Sequence, residues 1–238
     1  MSKQTLQISL AISLFLSLSS FSCITERSYG PVERESRNIG EFSEIEVSHG
    51  INVFITMGNR PSLEVETSED LMENLITEVR GDKLKIYFEG NFIWVKTANV
   101  YVQAQKLNKI SASAGADVVG EDEIRGRDLE LKASGGSDIK LEVDVDNLEV
   151  DVSGGADIEL TGAANYLEAS TSGGSDLKAY ELITQSARLE ASGGSDIKVY
   201  VEEDIDARAS GGADIKYRGN PQNVQSRDSS GGDVSKVN

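Results

Sequence analysis

The sequence has almost none of the residues that support disulfide frameworks or histidine-rich metal sites. One cysteine, Cys23, and one histidine, His49, occur among 238 residues. A single cysteine cannot form a disulfide within the chain, so no cysteine framework is expected. A single histidine provides no group of imidazoles for a zinc site, and we interpret His49 as part of a turn.

Aromatic residues and basic charge are also scarce. Phenylalanine, tryptophan and tyrosine together make up 6% of the chain, which argues against a large globular core. The 23 Lys and Arg residues are outnumbered by 40 Asp and Glu residues, giving a net charge of −17. Such an acidic chain is repelled by polyanions, so we expect no nucleic-acid partner and no attraction to anionic membrane surfaces.

Long apolar stretches are absent except near the start of the chain. Residues 6–18 are mostly apolar but too short to span a bilayer, and they follow Lys3, as in a secretory signal peptide. The stretch leads into Ser20-Phe21-Ser22-Cys23, which resembles a bacterial lipobox, although leucine is usual where Ser20 stands. We therefore predict a signal peptide over residues 1–22, lipid attachment at Cys23 and contact with the membrane only through that lipid. An ordinary signal peptide is the alternative.

A six-residue phrase, in contrast, recurs throughout the second half of the chain. It reads SAGADV at 113–118, SGGSDI at 134–139, SGGADI at 153–158, SGGSDL at 172–177, SGGSDI at 192–197 and SGGADI at 210–215, with a shortened SGGDV at 230–234. Equivalent aspartates are 18 to 21 residues apart. A period of this length is typical of a solenoid in which each repeat forms one turn.

The residues around the phrase predict strands. Apolar residues alternate before it, as in Leu148-Glu-Val150-Asp-Val152, and after it, as in Ile158-Glu-Leu160, which indicates strands with one buried face. The paired glycines predict a sharp corner with positive φ. Because all repeats run in the same order and direction, their strands must stack in parallel. The variable period favours an all-β, right-handed, single-stranded parallel β-helix with coils of about 19–20 residues; a two-sheeted parallel β-solenoid is the alternative.

The same pattern begins earlier, in diverged form. Residues 45–53 match the last nine residues of LEVDVSGGADI position by position, with Asn52 on the repeat aspartate. About three further coils fit before residue 117, with predicted strands at 63–67, 84–88, 92–95 and 100–102 and a short helix after Ser68. We therefore predict a signal peptide (1–22), a polar tether (23–40) and a β-solenoid (41–238), divided into diverged coils (41–110) and regular repeats (111–238).

The triplet Gly50-Ile51-Asn52 is followed by Val53-Phe54-Ile55 and later by the SGGADI repeats. Together these features resemble the head GIN domain family of auto-transporter adhesins over roughly residues 42–238. The resemblance implies a secreted or surface-anchored bacterial β-solenoid without known catalysis. It supplies no catalytic residues to transfer.

The repeated aspartates are the one group of residues in the sequence that could form a chemically functional site. Rungs stacked about 4.8 Å apart bring equivalent carboxylates close enough to repel each other by roughly 1 kcal/mol in water. Calcium between them is one interpretation. We favour a structural turn ladder without metal, in which each carboxylate accepts hydrogen bonds from the Gly-Gly corner and lysines two residues later provide countercharge. The ladder comprises Asn52, Asp117, Asp138, Asp157, Asp176, Asp196, Asp214 and Asp233; the lysines are Lys140, Lys178, Lys198 and Lys216.

These observations predict a non-catalytic lipoprotein of the cell envelope whose solenoid is an adhesion-like or structural module. We expect its ligand to be a protein or a glycan, and we expect no cofactor. We expect the protein to be located at the outer membrane, facing the periplasm or the cell surface. Two alternatives remain open: a calcium-binding solenoid and a polysaccharide-active β-helix enzyme. Such an enzyme needs a cleft walled by long loops, whereas most connections here are short.

Overall fold

The computed structural model describes residues 30–90 and 98–237, so the predicted signal peptide, Cys23 and the predicted strand at 92–95 lie outside it. Strand accounts for 71% of the structure. One helical turn, α1 (Glu69–Met72), occurs in the described ranges, where no helix is long and apolar enough to cross a membrane. The strands are β1 (Val32–Arg37), β2 (Glu44–Val47), β3 (Asn52–Met57), β4 (Ser62–Ser68), β5 (Leu75–Arg80), β6 (Lys83–Phe88), β7 (Ala98–Ala104), β8 (Lys109–Ser113), β9 (Asp117–Gly120), β10 (Ile124–Ser134), β11 (Asp138–Ser153), β12 (Asp157–Ser172), β13 (Asp176–Ser192), β14 (Asp196–Ser210), β15 (Asp214–Arg218), β16 (Asn223–Ser229) and β17 (Asp233–Lys236).

From β8 onward the chain winds as a regular stack. Each of the strands β11 to β14 begins at the aspartate after one Gly-Gly corner and ends at the serine before the next corner. Successive strands β10 to β14 pair in parallel, and Asp157 and Ser172 of β12 lie opposite Asp176 and Ser192 of β13. The predicted parallel β-solenoid is confirmed, with about seven turns.

The interior of the stack consists of columns of aliphatic side chains. In β11 every second residue from Ile139 to Val145 is buried, and the alternation resumes from Leu148 to Val152. Asp146 and Asn147 are both exposed between these runs, so the alternation shifts by one residue there. Equivalent residues of neighbouring coils stack on one another and exclude water from a narrow core, which stabilises the fold by roughly 25 cal/mol per Å² of apolar surface buried.

The N-terminal end departs from the predicted series of coils. The coil formed by β6 and β7 pairs in parallel with one side of β2 and β3, and the coil formed by β8 and β9 pairs with the other side. Strands β4 and β5 are antiparallel to β7 and β6. Only one coil therefore separates Asn52 from β8 in sequence, not about three. The rest of residues 58–82 covers the end of the stack, because antiparallel strands cannot continue the winding.

Two smaller predictions in this region also change. Residues 32–37, expected within the polar tether, form β1 and pair antiparallel with β4. Their sequence, VERESR, lacks apolar alternation, and the strand is held at the edge by backbone pairing and by Arg34, which forms ion pairs with Glu64 and Glu66. The helix predicted after Ser68 is a single turn, and the chain enters strand β5 already at Leu75.

Candidate functional site

The structure places the predicted ladder residues in one outward-facing column. Asn52 lies opposite Asp117 in adjacent strands, and each later aspartate lies opposite its predecessor as far as Asp214 and Asp233. The column continues beyond Asn52 toward the N-terminal end as Asn99, Glu66 and Arg34. It therefore runs along the whole described solenoid, although its chemical role remains a prediction.

The N-terminal part of the column is neutralised by a chain of hydrogen bonds. The Asn52 amide donates to Asn99 Oδ1 over 3.0 Å, and the Asn99 amide donates to Glu66 Oε1 over 2.9 Å. Arg34 Nε donates to the other oxygen of Glu66. The hydrogen bond from Asn99 contributes most to lowering the pKa of Glu66, and the bond from Arg34 adds to it. The amides and the guanidinium thus end the acidic series at this side.

Lysines offset part of the acidic series, as the sequence predicted. Lys178 Nζ is 2.8 Å from Asp157 Oδ2, and Lys216 Nζ is 2.9 Å from Asp214 Oδ2. Lys198 lies 3.5 Å from Asp196, whereas Lys140 contacts Glu159 of the neighbouring coil at 2.7 Å. All these pairs are partly exposed to solvent, so each contributes little to stability. Lys178, Lys198 and Lys216 lie in register and form a lysine column beside the aspartate column, whereas Glu159 separates Lys140 from them.

Asp117, at the start of the regular repeats, has a perturbed carboxyl group. Burial contributes most to raising its pKa, and repulsion from Asp138 in the next rung adds to it. A hydrogen bond from the backbone of Asp138 opposes both effects without cancelling them. Since a raised carboxyl pKa means that the folded state favours the protonated form, this group reduces stability at neutral pH and ceases to do so as the solution becomes acidic.

The hydrogen bonds at the corners differ from the prediction. Within residues 30–90 and 98–237, no ladder aspartate accepts a hydrogen bond from a Gly-Gly amide; Gly173 N–H donates to the Ser192 carbonyl, for example. The fully buried serine that precedes some of the aspartates instead accepts from the amide of the serine that begins the corner. Ser137 Oγ accepts from Ser134 N–H and donates to the Ala112 carbonyl, both over 3.0 Å. The restriction of this position to serine or alanine, visible in SGGSDI and SGGADI, was the signal that the sequence offered for a buried residue.

Another outer face, formed by the strand segments that precede the Gly-Gly corners, carries a shallow acidic groove of about 520 Å³. Three glutamates of successive coils, Glu130, Glu149 and Glu168, lie in register along it, and Tyr166 is 37% exposed at its rim. Glu130 contacts Lys109 and Glu168 lies near Arg188. Sequence reasoning did not single out this groove, because its residues come from different repeats and the pattern at each is an ordinary exposed position.

A second groove, of about 420 Å³, lies near the N-terminal end. The rings of Phe54 and Tyr101 stack there with centroids 5.2 Å apart, and the guanidinium of Arg34 lies 5.3 Å from the Tyr101 centroid. One face of Phe54 is therefore covered by Tyr101, and Tyr101 contacts both Phe54 and Arg34. Sequence reasoning missed the pair, although both aromatic residues stand at outward positions of strands.

The only histidine of the sequence, His49, lies at a corner of the chain as expected. Its φ is 69°, at the position where later repeats have glycine.

We expect the thermal stability of the protein to be the same in excess chelator and in excess calcium. The lysines already compensate part of the aspartate column, and no three His, Cys, Asp or Glu side chains of the described ranges are grouped as metal ligands.

The substitution Asp157→Asn is expected to have a mild effect on stability. Asp157→Ala should cost below about 1 kcal/mol, because it loses only an exposed ion pair with Lys178. Calorimetry and thermal melts test this; a large calcium-dependent rise in Tm would establish a metal-loaded column instead.

Comparison with known proteins adds to this picture. A family model described as "Putative auto-transporter adhesin, head GIN domain" matches residues 41–221. A solved structure described as a putative adhesin from Bacteroides fragilis has a TM-score of 0.82 at 20% identity, covering 87% of this chain and 97% of that one. A putative adhesin from Parabacteroides merdae (TM-score 0.71, 18% identity, 88% and 97% covered) and a putative lipid binding protein from Parabacteroides distasonis (0.70, 21%, 88% and 98%) are also similar. At these identities the likeness establishes a shared fold. No curated protein matches the chain.

Proposed function

The chain belongs to the head GIN domain family of auto-transporter adhesins, and because of this membership we propose that it is a non-catalytic, adhesion-like module of the bacterial cell envelope. The observation that carries the proposal is the pair of charge columns on one outer face. Asp157, Asp176, Asp196 and Asp214 repeat in register beside Lys178, Lys198 and Lys216. A surface of this kind suits a long ligand, a glycan chain or an extended protein segment, that contacts several rungs at once.

The ionisation of the acidic groove supports the non-catalytic part of the proposal. Burial raises the pKa of Glu130, but hydrogen bonds from Lys109 and Lys132 more than offset it, so the pKa is lowered. Hydrogen bonds from Asn147 and Arg127 lower the pKa of Asp128 in the same groove. Glycosidic cleavage requires one carboxylic acid with a raised pKa that protonates the leaving oxygen. The pKa values of Glu130 and Asp128 are lowered instead, so neither carboxylate resembles such an acid.

Adhesion is tested by displaying the full chain on cells and measuring their retention on immobilised mucin glycans and matrix proteins. We expect retention on at least one surface, and we expect Lys178→Gln/Lys198→Gln/Lys216→Gln to reduce it several-fold, because the lysine column is then lost. Lys132→Gln/Arg188→Gln/Arg208→Gln removes equal charge from the face that carries the acidic groove and should leave retention unchanged. No retention at all, or equal loss in both variants, contradicts the proposed binding surface.

We further propose that the protein is an outer-membrane lipoprotein held by acylated Cys23. The wild type should fractionate with membranes and incorporate a labelled fatty acid, whereas Cys23→Ala should lose both properties, because the thiol is the attachment atom. Ser22→Ala, which keeps a small residue before the cysteine, is the control and should behave as the wild type. A wholly soluble wild type with an unmodified amino terminus elsewhere contradicts the anchor.

A further inference from the structure

The two ends of the solenoid differ in whether other elements cover the outermost rung. At the N-terminal end, β4, β5, α1 and β1 cover the stack. At the other end, the outermost described rung consists of β16 and β17, which pair with β14 and β15 through one edge only. All residues of β16 are exposed. Unpaired edges of parallel strands are templates on which another chain can add strands.

Several inward positions of this rung depart from the apolar composition of the stack, although Val224 and Val234 remain apolar opposite Ile205 and Ile215. Asp228 lies opposite Ala209, which is buried and itself lies opposite Ala191. Lys236 lies opposite Tyr217, which is 9% exposed and follows the fully buried Val199 in the same column. Two charged side chains thus occupy positions that are apolar in the preceding coils. Ser226, opposite buried Ala207, adds a third polar substitution.

These charges have no partner that would permit their burial. Among the residues that the structure describes, the Asp228 carboxylate makes no hydrogen bond or ion pair, and Lys236 donates only to the Asn220 amide oxygen, over 2.7 Å. A second solenoid stacked on this end would bury Asp228 without compensation, which is strongly unfavourable. The rest of the rung still has the shape for stacking, since the Gly231-Gly232 corner and the outward Asp233 follow the repeat.

We propose that β16 and β17 form an end barrier, in which Asp228 and Lys236 at inward positions prevent a second copy of this chain from stacking on the solenoid. Inward-pointing charge is one of the means by which edge strands avoid association. The occupant excluded is specifically another copy, because its equivalent end presents the same corner, the same spacing of rungs and the same unpaired edges. The barrier is independent of the proposed adhesion, which concerns the outer face.

The test compares the oligomeric state of full-length versions, all carrying Cys23→Ala so that a lipid cannot associate the molecules. The variant Ser226→Ala/Asp228→Ala/Lys236→Tyr restores the residues found one rung earlier. We expect sedimentation velocity to give the monomer mass for the parent and a concentration-dependent rise to at least twice that mass for the variant. Circular dichroism verifies that both contain the same strand content.

A matched control separates the position of the charge from its loss. Arg227→Ala/Asp233→Ala/Ser235→Ala removes one base, one acid and one hydroxyl from outward positions of the same two strands. This control is expected to remain monomeric. If the triple variant does not fold, Asp228→Ala alone takes its place and should associate more weakly. A restored-rung variant that stays monomeric, a control that associates equally, or a parent that is already dimeric would each overturn the barrier.

Discussion

Gly162→Ala is expected to destabilise the protein by about 2–5 kcal/mol, because the added methyl group meets both an unfavourable φ and the backbone of the neighbouring coil. Gly162 has φ of 104°, which costs an L-residue roughly 1–2 kcal/mol. A Cβ atom there would also lie 2.1 Å from the carbonyl oxygen of Val143 in the preceding coil. Because the obstacle is backbone in a paired strand, relief requires the two coils to separate, at a further cost of roughly 1–3 kcal/mol.

Two glycines serve as controls for this prediction. Gly174 also has positive φ, at 82°, but a Cβ there meets open space, so Gly174→Ala should show only the conformational part of the effect. Gly126 has neither constraint, and Gly126→Ala should be nearly neutral. Urea unfolding measures the three free energies. An effect at Gly162 no larger than that at Gly174 would show that the rungs adjust to the added atom.

Arg37→Ala is expected to destabilise the N-terminal end by about 2–4 kcal/mol, since charge-assisted hydrogen bonds contribute about 1.5–3 kcal/mol each before partial replacement by water. Arg37 Nη2 donates to the Met72 carbonyl over 2.9 Å, and Nη1 donates to the Leu75 carbonyl and to Thr77 Oγ1. The side chain, 19% exposed, thereby joins β1 to α1 and β5 across the end of the stack. Its loss leaves backbone carbonyls without a donor.

Arg34 on the same strand is the matched control. It is 58% exposed and forms ion pairs on the surface, so Arg34→Ala should have a much smaller effect. Arg37→Lys should be intermediate, because an ammonium cannot reproduce the planar fork of donors. Hydrogen exchange of β5 amides should accelerate in Arg37→Ala before the regular coils open. Equal effects of Arg37→Ala and Arg34→Ala would contradict the bridging role.

Much of the candidate site followed from the repeat, but its hydrogen bonds did not. Equal spacing of the aspartates required them to stack in register, and Asp138 does lie opposite Asp157. The same argument placed Lys178 near the column, where it contacts Asp157. Which side chain forms hydrogen bonds with the backbone at the corner depends on how deeply that side chain is buried. Ser137, one residue before Asp138, is fully buried and reaches the backbone, whereas the carboxylate points outward.

The sequence by itself determined the all-β class, the parallel winding and the apolar columns, because a period near 19 and an alternation of two each admit few geometries. Tertiary structure alone decided the order of the N-terminal strands. Leu63 and Val65 in β4 alternate in the same way as Leu84 and Ile86 in β6, yet β4 runs antiparallel to β7, whereas β6 runs parallel to β2. Alternation specifies which face is buried, but the partner and direction of a strand depend on which edge is free when the chain returns.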